Sequence, residues 1–370
     1  MKIEIRLKEA LEQIKQGWDG TIQSLSKEAK VDRHTIKRLC TNDMTNPPLE
    51  AIGRLCGWLI GHGYPADRLP QALFAAQADK LWDILFQLKQ LTFYLGEYNR
   101  VEERYPAKFW ISRRDAWVAA QVIEHVSMLD SRPSGQKTRL HTEYVPFHFG
   151  SPDAQVAEER FKADKANARE IFKTMRSRPS KHGTMMIGSQ KVNYITEYFI
   201  ADLFNVQAFT TPVDRCKVPF FLIYRPFDRQ MSSCCAGTKL PGSRKETKPG
   251  IYYRDAAGEW VGCPWVEEAH DAGITIVTYD PGTGNIELAT LGLSGLGTAT
   301  LGTKLVQDGQ LFWRMTDTTP KSQDRSVAVF ISRMSFKRQG SGANDDSLQL
   351  RTFDVVQIDG KTLTRCLRRD

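Results

Sequence analysis

The chain has 370 residues, of which 41% are hydrophobic and 25% charged, and these proportions exclude disorder throughout and collagen-like order. At roughly 100–200 residues per domain, the length predicts two or three domains. No apolar run approaches the ~18 residues that span a bilayer, so no membrane partner is expected. Lys plus Arg number 51 against 43 Asp plus Glu, a formal charge of +8, which favours polyanionic partners without establishing one. The start, Met1-Lys2-Ile3-Glu4-Ile5-Arg6, lacks the apolar stretch of a secretion signal. Together with seven thinly spread cysteines, it predicts reduced thiols and a cytoplasmic location.

The first informative segment runs from Thr21 to Leu39. Ile22, Leu25 and Ala29 fall at helical spacing and make one apolar stripe, with Thr21 placed to cap the helix. Val31 falls in a short turn. Asp32 then caps a second helix whose inner face is Thr35, Ile36 and Leu39. Two short helices joined in this way form a helix-turn-helix, whose second helix is narrow enough for the major groove of DNA. Lys27, Lys30, Arg33, Lys37 and Arg38 against Glu28 and Asp32 leave +3 on residues 27–38. Arg33 and His34 lie in the first turn of the second helix, where base edges are usually reached, and Lys37 is one turn further on the same face.

These residues resemble the lambda-repressor-like (Cro/C1, XRE) helix-turn-helix family, and the likeness continues through Asn46-Pro47-Pro48-Leu49-Glu50-Ala51-Ile52-Gly53-Arg54-Leu55-Cys56-Gly57-Trp58-Leu59. It covers residues 19–64. The resemblance implies a small all-α bundle closed by a helix bearing Leu49, Ile52, Leu55 and Leu59. It also implies that double-stranded DNA is the partner, with Arg33, His34 and Lys37 toward bases and Lys27, Arg38 and Asn42 toward phosphates. Two positions depart from the family pattern: Lys30 stands where Gly suits a positive φ, and Ser26 stands where Ala is favoured at the helix crossing.

Residues 66–139 read as a helical segment serving as a linker or a homodimer seam. Leu69, Leu73, Ala76, Leu81, Ile84, Leu85, Leu88, Leu91 and Leu95 give one helical pattern reaching Asn99, and Ser112 with Asp115 opens a second helix toward Met128. Residues 130–137 are polar with Pro and Gly, as a linker is.

Residues 140–370 predict a C-terminal α/β, Rossmann-like sandwich, so the whole chain is expected to be an α+β multidomain protein, with domains 1–65, 66–139 and 140–370. Helices are expected at 161–175, 193–204 and up to Leu305. Strands are expected at 183–187, 219–224, 251–254, 274–279, 286–291, 326–332 and 353–358. Two strand-to-helix turns are candidate ligand sites, since open α/β sheets bind ligands at the carboxyl ends of their strands. The first offers Gly188, Ser189, Lys191 and Asn193; the second offers Ser294, Gly295, Gly297 and Thr298. Hydroxyls, a lysine and helix N-termini suit a nucleotide or another phosphate-bearing effector. Neither turn matches GxGxxG or a phosphate loop, so structural turns remain the competing reading.

No catalytic or metal set stands out. Gly292-Leu293-Ser294-Gly295 falls short of the nucleophile elbow, and Cys234-Cys235, like the scattered Cys263 and His270, lacks zinc spacing. Three functions follow in order: a sequence-specific DNA-binding transcriptional regulator with an effector-sensing C-terminal domain; a nucleotide-binding or nucleotide-processing enzyme or defence effector carrying the helix-turn-helix for targeting or autoregulation; and a scaffold whose first domain binds protein.

Overall fold

The computed structural model describes residues 3–5, 7, 11, 21–40, 48–64, 66, 69, 74–76, 80–100, 108–129, 137–148, 154–228, 230–243, 247–315, 319–322, 324–338 and 348–368. Asn42 and nearly all of the expected linker lie outside them. Contacts divide the chain into two compact units, 1–78 and 79–370. The protein is of mixed α/β type. No helix among the described residues is long and apolar enough to cross a membrane.

In the first unit, strand β1 (Ile3–Ile5) pairs antiparallel with β2 (Phe74–Ala76). Helices α1 (Ile22–Ala29), α2 (Arg33–Cys40) and α3 (Leu49–Gly61) surround a core that includes Leu25, Ala29, Val31, Ile36, Leu39, Leu55 and Leu59. Thr21 caps α1 by accepting from the Ser24 N–H at 3.2 Å. The helix ends at Lys30 with φ 54°, and the Val31 N–H returns to the Ser26 carbonyl at 3.2 Å, a left-handed termination of the kind glycine usually supplies. The Ser26 hydroxyl donates to the Val31 carbonyl at 2.7 Å, which gives that polar side chain a partner at the helix crossing. Asp32 caps α2, accepting from the N–H groups of His34 at 2.8 Å and Thr35 at 3.1 Å. Those bonds, Thr35 first, hold its pKa below the ordinary value.

The inner face of α3 is Ala51, Leu55, Trp58 and Leu59, whereas Leu49 is 84% exposed. The expected stripe is therefore displaced at its start, because burial follows the 51, 55, 58, 59 spacing once Pro48 has begun the helix. Arg54 donates to the Lys30 carbonyl at 2.7 Å, and Trp58 donates to Glu28 at 2.9 Å. The first bond pins α3 to the turn that joins α1 to α2, and the second pins it to the last turn of α1.

The second unit is built on a nine-stranded sheet. Its elements begin with α4 (Lys80–Gln87), β3 (Gln90–Arg100), β4 (Lys108–Ile111), α5 (Arg113–Leu129), β5 (Arg139–His148), α6 (Ala154–Arg176), β6 (His182–Ile187) and α7 (Tyr194–Phe204). The chain continues through β7 (Phe220–Ile223), β8 (Ala236–Gly237), β9 (Gly250–Arg254), β10 (Trp260–Pro264), β11 (His270–Asp280), β12 (Asn285–Gly292), α8 (Gly295–Gln307), β13 (Lys321–Ser322), β14 (Arg325–Arg338), β15 (Leu348–Gln357) and α9 (Gly360–Leu367). The main sheet runs β13-β14-β11-β12-β6-β3-β4, with β15 beside β14 and β5 beside β3; β10-β9-β7-β8 form a separate sheet. Strands β12, β6, β3 and β5 are mutually parallel, and the rest of the main sheet is antiparallel.

Successive side chains of a strand point to opposite faces, and the two hydrophobic cores divide along that alternation. Leu91, Phe93, Leu95, Met185, Ile187, Leu288 and Phe330 pack with α4, α5 and α8. Tyr94, Met186, Ala289, Leu291, Val329 and Ile331 pack with α6, α7, α9 and the smaller sheet. The sheet is thus covered on both faces.

One expectation is overturned. The helical pattern predicted to reach Asn99 stops at Gln87, and Gln90–Arg100 is a strand. Residues 91–96 are buried throughout, as in a central strand covered on both faces, and such a run cannot be told from a buried helix by its periodicity. Among the described residues, the segment 66–139 expected to be helical accordingly holds β2 of the first unit and, in the second, two helices, the strands β3 and β4, and the first residue of β5.

Candidate functional site

The register of β12 against β6 sets Thr290 opposite Ile187. Parallel neighbours in this register end together, so the two turns singled out in the sequence emerge side by side at the carboxyl edge of the sheet. They line one cavity of about 230 Å³ with Ser112, Asp115, Arg225, Phe227 and Asp228. A second hollow of about 280 Å³ shares Arg225, Phe227, Ser294 and Gly295 with the first and adds Arg114, Trp265 and His270. The two together fall in the size range of small-molecule sites.

At the first turn, Gly188 has φ +97°, and a Cβ there would lie 2.9 Å from Asp115 Oδ2. Only glycine combines that backbone with that approach. Ser189 and Lys191 line the cavity. Asn193 does not. It is buried, donates to the carbonyls of Tyr94 at 2.9 Å and Ile187 at 3.0 Å, and caps α7 by accepting from the Ile195 N–H. Its work is to tie the turn to β3 and β6.

At the second turn, a Cβ on Gly292 would sit 2.2 Å from the Thr298 nitrogen, so the start of α8 folds directly over the strand end. Ser294, Gly295 and Thr298 line the cavity, while Gly297 lies behind it and donates its N–H to Asp271 at 3.0 Å. The Ser294 hydroxyl donates to the same Asp271 oxygen and accepts from Leu296 N at 3.1 Å. At this turn the N–H groups of Leu296 and Gly297 are therefore bonded to the protein's own acceptors.

The charges of the cleft are arranged to match. Lys191 Nζ lies 2.9 Å from Asp228 Oδ2, and Arg225 Nη2 lies 2.8 Å from Asp228 Oδ1. Burial pushes Asp228 upward, but the Arg225 hydrogen bonds and the Lys191 charge outweigh it and leave the carboxyl below its usual range. Lys191 is lowered by burial despite the same contact. The two directions differ because two cations contact the carboxylate, whereas the burial of the ammonium outweighs its attraction to Asp228 and to Asp271; the contact geometry supports an ionised Asp228. Burial also raises Asp271, and it pushes Asp115 up to about 6 against the Ser112 hydroxyl. Among the described residues no cation pairs with Asp115.

At the exposed side, Phe227 is 64% exposed and meets Trp265 edge-on with ring centroids 5.8 Å apart. The Arg225 guanidinium lies 4.6 Å from the first ring and 5.5 Å from the second. Asp115, Arg225, Phe227, Asp228 and Asp271 were not singled out in the sequence. Ser112 and Asp115 read there only as a helix start, and no local pattern marks the others.

In the first unit, Lys27, Arg33, His34, Lys37 and Arg38 are all exposed, and Arg33, His34 and Lys37 occupy α2 away from buried Ile36 and Leu39.

Among the described residues one set has metal-binding proximity, Glu197 with Cys234 and Cys235. Glu197 already accepts from the N–H groups of Phe209 and Cys234 and from the Ser233 hydroxyl, each at 2.7 Å. Burial raises the Cys234 thiol well above its ordinary value, which opposes the thiolate that a metal needs. The set acts as a buried lock on the loops before and after β7. All seven cysteines are free thiols.

Comparison with protein-family models, with curated proteins and with solved structures finds no match to this chain.

Proposed function

We propose that the chain is a cytoplasmic, homodimeric transcriptional regulator that binds double-stranded DNA in a sequence-specific way. In this reading the first unit is a helix-turn-helix bundle, and the second is a Rossmann-like sensor in the limited sense that parallel strands present a small-molecule cleft at their carboxyl ends. The carrying observation is the exposed cationic face of the capped helix α2, Arg33, His34 and Lys37, on an element thin enough for a major groove. Lys27 and Arg38 add charge toward phosphates. An effector in the cleft would regulate DNA binding by preferring one dimer arrangement, a coupling of about 1–3 kcal/mol.

The test is recovery of genomic fragments on the purified protein. Enrichment of one palindrome is expected, with binding that falls steeply as salt rises. Arg33→Ala should lose about tenfold or more in specific affinity, the loss of one good base contact, and Lys37→Ala should also weaken specific binding, with unfolding curves of the first unit unchanged. Wild-type affinity in both variants defeats the reading. Failure to retain DNA at any salt favours the scaffold.

One observation favours the second reading, an enzyme acting on a nucleotide. Asp115 is a buried carboxyl facing the cleft whose pKa of about 6 suits proton transfer near neutrality. Turnover of a nucleotide mixture by the purified chain, abolished in Asp115→Asn, would establish it.

A further inference from the structure

We infer that the cleft of the second unit takes a nucleoside, a planar base joined to a ribose, and is built against a phosphate in its buried part. This rests on the reading of the cleft as a ligand site and names the ligand's class.

The buried part offers acceptors and hydroxyls rather than spare positive charge. Asp115 is 3% exposed, faces the cavity beside Ser112 and Ser189, and has no cation partner among the described residues. A buried carboxylate in that setting is best satisfied by a neutral ligand that donates several O–H groups, and a ribose diol does so with two adjacent donors. An anion meets the opposite conditions. Lys191 and Arg225 both contact Asp228, and buried Asp271, whose charge acts on both of them, supplies the second negative charge; the N–H groups of Leu296 and Gly297 at the start of α8 are held by Ser294 and Asp271. A phosphate would have to displace these internal contacts while lying near Asp115.

The exposed part offers a π surface. Phe227 and Trp265, with the Arg225 guanidinium against both rings, form a platform for a flat heteroaromatic group. Phe227 belongs to both hollows, so the ring platform and the carboxyl pocket lie in one continuous groove. A flat ring at one end and a polyol at the other describe a nucleoside.

The experiment titrates the full-length purified chain with adenosine, guanosine, cytidine, uridine, adenosine 5′-monophosphate, ribose and inorganic phosphate, reading tryptophan fluorescence and heat. At least one nucleoside is expected to saturate and to bind more tightly than ribose, the monophosphate or phosphate. Phe227→Ala, at an exposed position where folding is undisturbed, is expected to weaken that nucleoside about tenfold, the loss of one stacking contact. Asp115→Asn is expected to weaken it similarly. Tighter binding of the monophosphate or of phosphate, full affinity in Phe227→Ala, or no saturation by any nucleoside overturns the inference. DNA retention measured on the same preparation separates the two claims. Nucleoside binding without DNA binding removes the regulator alone, and DNA binding without nucleoside binding removes this inference alone.

Discussion

Lys191 Nζ and Asp228 Oδ2 lie 2.9 Å apart inside the cleft, with the two side chains 10% and 6% exposed. The contact joins the turn after β6 to the loop after β7. Lys191 also donates to the Leu293 carbonyl at 3.3 Å, so one side chain links three segments that are distant in the sequence.

Removing the carboxylate leaves that ammonium buried beside Arg225. Asp228→Asn is therefore expected to destabilise the second unit by about 3 kcal/mol, the usual consequence of breaking a buried pair from one side. The double variant Asp228→Asn with Lys191→Met should recover part of the loss, because the buried ammonium is gone and only Arg225, which still lies against the Phe227 and Trp265 rings, has lost its carboxylate. Urea unfolding of the single and double variants checks this; equal losses in both would show that the pair does not act as one unit.

The termination of α1 at Lys30, φ 54°, places a Cβ-bearing residue in the left-handed region. Lys30→Gly is expected to stabilise the first unit by about 0.5–1 kcal/mol, since relief of the steric cost exceeds the added freedom of the unfolded chain. The Arg54 bond to the Lys30 carbonyl involves only backbone at that position and survives the change. A lower midpoint in thermal unfolding of the variant would contradict this account.

Asp115 gives stability a defined pH dependence. Its folded pKa of about 6 lies above the ordinary carboxyl value of 3.8, so the folded state binds the proton more tightly. That contribution is complete below about pH 4, is lost as the pH rises toward 6, and stays lost above it. Asp115→Asn removes the burden of a buried charge. Relative to the wild type it should gain about 2–3 kcal/mol at pH 8 over its standing at pH 4. Denaturant curves at the two pH values measure the difference, and a constant offset would rule the mechanism out.

Much of the architecture was legible in the sequence where one local rule was sufficient. Thr21 and Asp32 read as caps because a short oxygen-bearing side chain before an apolar stripe has few other uses, and both accept the expected backbone bonds. The expected strands 274–279 and 286–291 lie inside β11 and β12, and Asn193 caps α7 where the helix was expected to begin. Local reasoning failed at Gln90–Arg100, because complete burial erases the alternation that distinguishes strand from helix.

The cleft divides the same way. The sequence alone marked both turns, through glycine followed by hydroxyl residues at strand ends, since backbone conformation and capping are properties of a few adjacent residues. Only the tertiary structure decided that the turns face one cavity, that Asp115 from α5 and Asp228 from another loop enter it, and that Lys191 arrives already paired. Those facts depend on strand order and register, which arise from packing between residues far apart in the chain, and electrostatic character follows from which charges the packing brings together.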